Sequence, residues 1–307
     1  MEYITGKKDF KLDNTIVTIG KFDCFHRGHQ LLFKIASVMK QPEMTQVIFS
    51  FASNPSDVVN NVVGRHIVSA NERHYQAVKN GVDIFIEYPF DDDTRNMTPD
   101  EFAKDVLAGK LGAKAVVAGD DFRFGKDRAG DTDTLKELGK KYGFEVRIVN
   151  RISYKGNIIS STYIREELLK GNLKDVEEML GRPFTMSGTI GSGHHIGTGM
   201  GIPTINFSVP EDKLLPPDGV YATKTHIGVN FYTSITNIGV RPTFYEDGER
   251  FVETNILDFN GDIYGRKAVV SFHRFIRPEK RFAGKEELAA QIRKDIEEAR
   301  EYFVKED

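Results

Sequence analysis

The segment from Thr18 to Leu32, TIGKFDCFHRGHQLL, decides the fold of the first half of the chain. It completes an apolar run, Thr15 to Ile19, and leads into an amphipathic one, Gln30 to Met39. A strand that breaks at Gly20 and re-forms as a helix near His26 puts His26 and His29 on the first helical turn, three residues apart and on one face. Unpaired N–H groups and the positive end of the helix dipole gather at such a corner. It is therefore a ready phosphate site, to which two imidazole donors are added. Gly28 lacks a Cβ, which lets a phosphate approach the backbone closely.

Outward from this corner, short β-rich runs alternate with helix-like stretches as far as residue 150. The runs are TIVTI (15 to 19), QVIFSF (46 to 51), DIFIEY (83 to 88), KAVVAG (114 to 119) and FEVRIV (144 to 149). Their continuous apolar character predicts strands covered on both faces, hence a mainly parallel sheet. Ser69-x-x-Glu72 and Thr98-Pro99-x-Glu101 read as capping boxes, and Gly81, Gly112 and Gly143 stand where helices stop. The expected fold class is α/β, a doubly wound, Rossmann-like domain. Ligands bind such a sheet outside the carboxyl ends of its strands, where Gly20 to His29, Ser50 to Pro55 and Gly119 to Gly125 all fall. Two short helices, within 160 to 171 and 172 to 182, read as the close of this first domain.

Beyond Pro183 the pattern changes to alternating runs, VYATKTHIGV, FYTSITNIGV, VETNILDF and AVVSFHRFI, separated by glycine-containing turns. These predict an antiparallel barrel or sandwich, followed by a helix from 285 to 303 whose apolar stripe is Leu288, Ile292, Ile296, Ala299 and Phe303. The domains expected are 1–183 and 184–307.

The 307 residues leave room for two cores. Hydrophobic residues are 39% and charged residues 28% of the chain, a globular rather than a disordered profile. A net charge of -3 gives nucleic acid or an anionic membrane no general reason to bind, so neither is expected as a partner. Cys24 is the only cysteine, which excludes an intramolecular disulfide and a multi-cysteine metal site and fits a reducing compartment. The start MEYITGKKDF lacks the basic and apolar parts of a secretory signal, and no run has the length of a membrane span. The expectation is a cytoplasmic protein, with nothing in the sequence to choose between a monomer and a homo-oligomer.

The run Gly20-Lys21-Phe22-Asp23-x-x-His26-x-Gly28-His29 resembles the signature of nucleotidyltransferases that move an adenylyl or cytidylyl group. Ser160-Ser161-Thr162-x-Ile164-Arg165 resembles the second signature of that superfamily, SSTxIR. The run Gly119-Asp120-Asp121-Phe122-Arg123-Phe124-Gly125 resembles the FMN adenylyltransferase module of bacterial riboflavin biosynthesis proteins. In the second half, Gly197-x-x-x-Gly201-x-Pro203-Thr204-x-Asn206 resembles the riboflavin kinase signature. Asp218 to Ala222, Asn237 to Phe244 and Glu253 to Phe259 follow in that family's order. Nearly the whole chain thus resembles the bifunctional riboflavin kinase/FAD synthetases.

This resemblance implies two reactions with ATP as co-substrate: riboflavin to FMN in the second domain, and FMN to FAD in the first. It implies Mg²⁺, with Thr204 and Asn206 as ligands, and riboflavin, FMN, FAD and ATP as the molecules bound. In the first domain His26 and His29 are the implied catalytic pair. Gly20, Phe22, Asp23, Gly28, Asn54, Arg123, Ser161, Thr162 and Arg165 are the implied ATP- and phosphate-binding residues. In the second, Glu253 matches the family's base, and Gly197, Gly201, Pro203, Thr204, Asn206, Tyr221 and Arg241 are implied to bind ATP or flavin. Two departures stand out: Cys24, where relatives usually have glycine, and SFASNP (50 to 55), where TFDPHP is common. The altered SFASNP stretch keeps open a second reading with one activity retained; a third, a flavin-binding regulatory protein with inactive sites, would be expected to lack Glu253, His26 or His29, all of which are present.

Overall fold

All five residues of β2 (Thr15–Ile19) are buried, as a strand covered on both faces must be. The computed structural model describes residues 1–51, 65–191, 204–207, 210, 212–240, 250–259, 261 and 263–306, the side chains of 285 and 306 excepted. It forms two compact units, Met1–Gly64 with Ala70–Ser160, and Arg65–Ser69 with Ser161–Asp307.

In the first unit β2 lies inside a six-stranded sheet with β1 (Glu2–Thr5), β3 (Thr45–Phe51), β4 (Ile84–Tyr88), β5 (Ala113–Gly119) and β6 (Glu145–Val149). The order is β1-β4-β3-β2-β5-β6, and every pairing is parallel. Parallel neighbours need crossovers, supplied by helices α1 (Arg27–Met39) between β2 and β3 and α2 (Ala70–Lys79) before β4. The chain thus steps outward from β2 through β3 to β4, then returns to the other side of β2 to form β5. The order reverses between β2 and β5, so their carboxyl ends frame the crevice that a doubly wound sheet offers to ligands. The residues following β2 are those quoted at the outset.

All five predicted strands are present. The edge strand β1, only four residues long, is not legible in the sequence, and it pairs with β4. After β4 comes α3 (Asp92–Asn96), then α4 (Pro99–Glu101), opened by the predicted capping box of Thr98 and Glu101. It runs on as a π-helix, Phe102–Lys110, closed by Leu111 N donating to Val106 O at 2.9 Å. Helix α5 (Thr132–Tyr142) starts at Asp131, whose carboxylate accepts from Thr134 N at 2.9 Å, and stops at left-handed Gly143.

The second unit holds α6 (Ser161–Leu169) and α7 (Leu173–Leu180) together with a closed barrel, β10-β13-β12-β11-β14-β9. Its strands are β9 (Phe184–Gly191), β10 (Thr204–Phe207), β11 (Gly219–Ile227), β12 (Asn230–Val240), β13 (Arg250–Ile256) and β14 (Lys267–Arg277), all antiparallel to their neighbours. Helices α6 and α7, expected at the close of the first domain, group with the barrel in the second compact unit. Leu173, Val176, Met179 and Leu180 make α7 apolar on one side, and it packs on β9 and β14. The barrel, left open against a sandwich by the sequence, is settled by the pairing of β9 with β10 that closes the circle.

The barrel interior is partly polar. Thr225, Ser234, Thr223, Thr236 and Thr254 are fully buried, and their hydroxyls join in a chain with separations of 2.8 to 2.9 Å. Each hydroxyl thereby satisfies the next, which removes the desolvation cost that burial would otherwise leave. Outside the barrel, helix α8 (Lys285–Glu306) lays its predicted stripe against Val220, Ala222 and Ile235, with Ala299 and Phe303 buried and Ile292 and Ile296 half-buried. Asp295, 2% exposed on the same helix, receives a two-pronged contact from Arg277, with Nε at 3.0 Å from Oδ1 and Nη2 at 2.8 Å from Oδ2. The end of β14 is thereby fastened to α8.

Candidate active sites

In the first unit the site grows from the turn between β2 and α1. Phe25 takes a left-handed backbone, φ 52°, which a bulky residue rarely adopts, and it is fully buried. Packing holds it there: Phe22, Phe25 and Phe33 form a ring cluster with centroids 5.1 to 6.2 Å apart. This conformation delivers His26 to the cap of α1, where its Nδ1 accepts from His29 N at 3.3 Å. With Nδ1 an acceptor, the neutral ring carries its proton on Nε2, leaving that nitrogen a donor. His29, in the first turn, stacks on His26 with centroids 3.6 Å apart and 18° between planes, and stands edge to face on Phe22 at 5.0 Å. The two imidazoles are thus held side by side at a helix N-terminus.

Gly28 has a different local reason from the one expected. An added Cβ would lie 3.0 Å from Cε1 and Nδ1 of His26, so the glycine makes room for the capping imidazole. Cys24 is fully buried, and Cys24, His26 and His29 bring one ligand atom each within 4.8 Å of one another. A metal would need in-plane lone pairs from both rings aimed at one point. With the rings stacked and His26 Nδ1 engaged, the pair is arranged for hydrogen bonding instead. Asp23 and Phe22 are buried beside this turn. Gly20 receives the Phe22 ring, whose Cζ would be 3.1 Å from a Cβ there. Asn54 lies outside the described residues, as does most of SFASNP.

The run GDDFRFG leaves the end of β5, beside β2 in the sheet. Phe122 and Phe124 stack at 5.4 Å with only 10° between planes. Arg151 Nε donates to Asp120 Oδ1 at 2.7 Å, which fixes the loop, and sequence reasoning missed it because no local signal joins residues so far apart. Arg123 is salt-bridged to Asp131 at 3.0 Å. The Thr134 N–H and hydroxyl, then Arg123, hold the Asp131 carboxyl down at about 2. The second signature opens α6 in the other unit, where Arg165 Nη1 donates to the carbonyl of Arg65 at 2.5 Å, with Thr162 exposed and Ser161 half-buried.

In the second unit the site lies on the outer face of the barrel. Glu253 on β13 faces Asn206 on β10 and Asn237 on β12, so three polar side chains form a row across three strands. Thr204 Oγ1 donates to Glu253 Oε1 at 2.5 Å, fixing one carboxylate oxygen. A hydroxyl that donates its proton still has lone pairs to offer a cation. Hydroxyl, amide carbonyl and carboxylate together make an all-oxygen donor set, which fits Mg²⁺. Tyr221 is a core residue: it is fully buried, its hydroxyl donates to Pro217 O, and burial pushes its pKa well up. Gly197, Gly201, Pro203 and Arg241 lie outside the described residues.

Two further residues stand at this face: Asn237, which opens one of the motifs but carries no role in the sequence reading, and Glu279, which lies outside every motif. Asn237 Nδ2 reaches Glu279 Oε1 at 3.4 Å, whereas its Oδ1 is buried without a hydrogen-bond partner among the described residues. Such an orphan acceptor costs roughly 1–3 kcal/mol. The Glu279 carboxylate covers Gly239, where an added Cβ would come within 2.7 Å of Glu279 Cδ. Among the described residues no helix is long and apolar enough to cross a membrane.

Comparison with known proteins finds matches for both halves of the chain. The family model described as FAD synthetase matches residues 9–163, and the one described as riboflavin kinase matches residues 180–303. Bifunctional riboflavin kinase/FMN adenylyltransferases are similar along almost the entire length. That of Buchnera aphidicola from Schizaphis graminum is 34% identical over 310 residues, 99% of each chain. That of Escherichia coli K12 is 33% identical over 294 residues, 95% of this chain and 93% of its own. A crystal structure from Streptococcus pneumoniae, described as a macrolide-efflux protein, matches with a TM-score of 0.87 at 30% identity, covering 98% of this chain and 99% of its own. That description names another activity, but two independent family models and the curated relatives agree on flavin chemistry in both halves. The chain belongs to the family of bifunctional riboflavin kinase/FMN adenylyltransferases.

Proposed function

We propose that this chain makes FMN from riboflavin and ATP on the barrel, and FAD and pyrophosphate from FMN and ATP at the β2–α1 corner. Residues 184–307 are assigned to the first reaction and 1–183 to the second. The observation that carries the reading is the pair of prepared faces: a Glu253 oriented by Thr204, and two stacked imidazoles at the N-terminus of α1.

In phosphoryl transfer the terminal hydroxyl of the ribityl chain attacks the γ-phosphorus of ATP, ADP leaves, and the hydroxyl proton passes to Glu253. A hydroxyl is a weak nucleophile, so a carboxylate held within reach lowers the barrier. Thr204 and Asn206 supply the oxygen ligands for Mg²⁺, which when bound offsets charge on the ATP phosphates.

In adenylyl transfer a phosphate oxygen of FMN attacks the α-phosphorus of ATP. No protein nucleophile is needed, and the work is positioning and charge stabilisation. His26, through Nε2–H, and His29 donate to phosphate oxygens at the positive end of the α1 dipole. Ser161, Thr162 and Arg165 offer two hydroxyls and a guanidinium, a donor set suited to a polyphosphate. Arg123 is assigned to orienting the GDDFRFG loop through Asp131. The fully buried Cys24 is assigned to packing.

The test is to assay the half-reactions separately, ADP release with riboflavin and pyrophosphate release with FMN, each in Mg-ATP. Flavin-dependent release in both supports the reading, and its absence from either removes that half.

A further inference from the structure

We propose that Asn237 is a substrate-contacting residue of the kinase face, its Oδ1 accepting a hydrogen bond from the hydroxyl next to the one phosphorylated, so that the site selects a vicinal polyol. The inference rests on the reading of Glu253 as the base.

Asn237 and Glu253 are directly opposed on β12 and β13, a pairing that sets their Cβ atoms about 4.5–5.5 Å apart on one face. Adjacent hydroxyls on a polyol chain are separated by a comparable few ångströms. One substrate can therefore give its terminal hydroxyl to Glu253 and the next to Asn237. Asn237 Oδ1 is buried and lacks a donor among the described residues, while the Nδ2 of the same amide is directed to Glu279 Oε1 at 3.4 Å. That contact sets which end of the amide is left to the substrate. An amide oxygen can only accept, so its partner must carry N–H or O–H, and a hydroxyl beside the attacking one does.

Glu279 follows an anchored segment. Arg277, two residues earlier, grips the buried Asp295 with both prongs, and its Nη1 donates to Pro278 O at 3.1 Å. The carboxylate then lies over Gly239, where any side chain would displace it. Glu279 is thus a positioning residue, acting through the Asn237 amide.

The experiment measures kcat/KM for FMN formation with riboflavin and with an analogue lacking only the hydroxyl adjacent to the terminal one, in wild type, Asn237→Ala and Glu279→Gln. Circular dichroism and melting check that each variant is folded. Wild type should lose about 10- to 100-fold with the analogue, the factor for one lost hydrogen bond in a site built around it. Asn237→Ala should lose a similar factor with riboflavin and little more with the analogue, and Glu279→Gln should fall between. Equal turnover of both substrates by wild type overturns the proposal, and that arm needs no variant. Losses in Asn237→Ala that simply add to those of the analogue also overturn it. Failure of wild type to phosphorylate riboflavin at all would instead overturn the kinase reading, and this proposal with it.

Discussion

Thr204 Oγ1 donates to Glu253 Oε1 at 2.5 Å, so the candidate base is held by a hydroxyl from the neighbouring strand rather than left to swing in solvent. Replacing Thr204 by valine keeps the shape and removes the donor. FMN formation should fall at least 10-fold, because the variant loses a hydrogen bond of roughly 1.5–3 kcal/mol to a charged group and, with it, an oxygen assigned to Mg²⁺. Glu253→Gln should abolish it. FAD formation from added FMN should be nearly unchanged in both variants. Parallel loss of the two activities would mean that the faces do not act separately.

Gly28 gives the matching test on the other face. In Gly28→Ala the new Cβ meets the His26 ring at 3.0 Å and pushes it from the cap of α1. The helix loses roughly 0.5–2 kcal/mol, and the imidazole that donates to phosphate is misaimed. FAD formation should fall at least tenfold while FMN formation stays constant. An alanine variant with full adenylyl transfer would show that the close fit of ring and glycine is unimportant.

His273, on β14 against Phe303, is kept neutral by burial, with Lys224 adding to the effect, and its pKa is pushed down to about 4 from 6.5. The unfolded chain takes up this proton near pH 6.5 and the folded chain only near 4. Stability therefore rises with pH between those values and is level above them. Urea midpoints between pH 7.5 and 4.5 should fall more steeply for wild type than for His273→Leu. Identical slopes would contradict the assignment.

The fork of Arg277 on Asp295 joins β14 to α8, and Asp295 is 2% exposed. Removing one partner of such a buried pair leaves the other charge uncompensated, which costs about 3–5 kcal/mol. Asp295→Ala should lower the denaturation midpoint of the barrel accordingly. It should also weaken FMN formation, because the segment carrying Glu279 starts at Arg277. A loss below about 1 kcal/mol would place the pair with ordinary surface bridges.

Periodicity and capping made the sheet legible, because parallel strands buried on both faces are written as apolar runs and helix ends are written in Thr98, Glu101 and Gly143. The four-residue strand β1 has too little pattern to read, and a π-helix differs from an α-helix in hydrogen bonding rather than composition. That α7 packs on β9 and β14 is not legible, because an amphipathic stripe states that something is covered, not what covers it. At the candidate sites, motifs mark His26, His29, Thr204 and Glu253. The fit of the His26 ring against Gly28 is a tertiary detail that no motif spells out. Tyr221 proved to be core because alternation along β11 points it inward. The pairings of Asn237 with Glu279 and of Arg151 with Asp120 are not legible, since the partners lie 42 and 31 residues apart.

Both reactions are assigned to one chain. Incubating the pure protein with riboflavin and Mg-ATP and resolving the flavins by chromatography over time tests this assignment most directly. FMN should appear first, and FAD should follow as FMN accumulates. FMN that never proceeds to FAD, or riboflavin recovered unchanged, would contradict it.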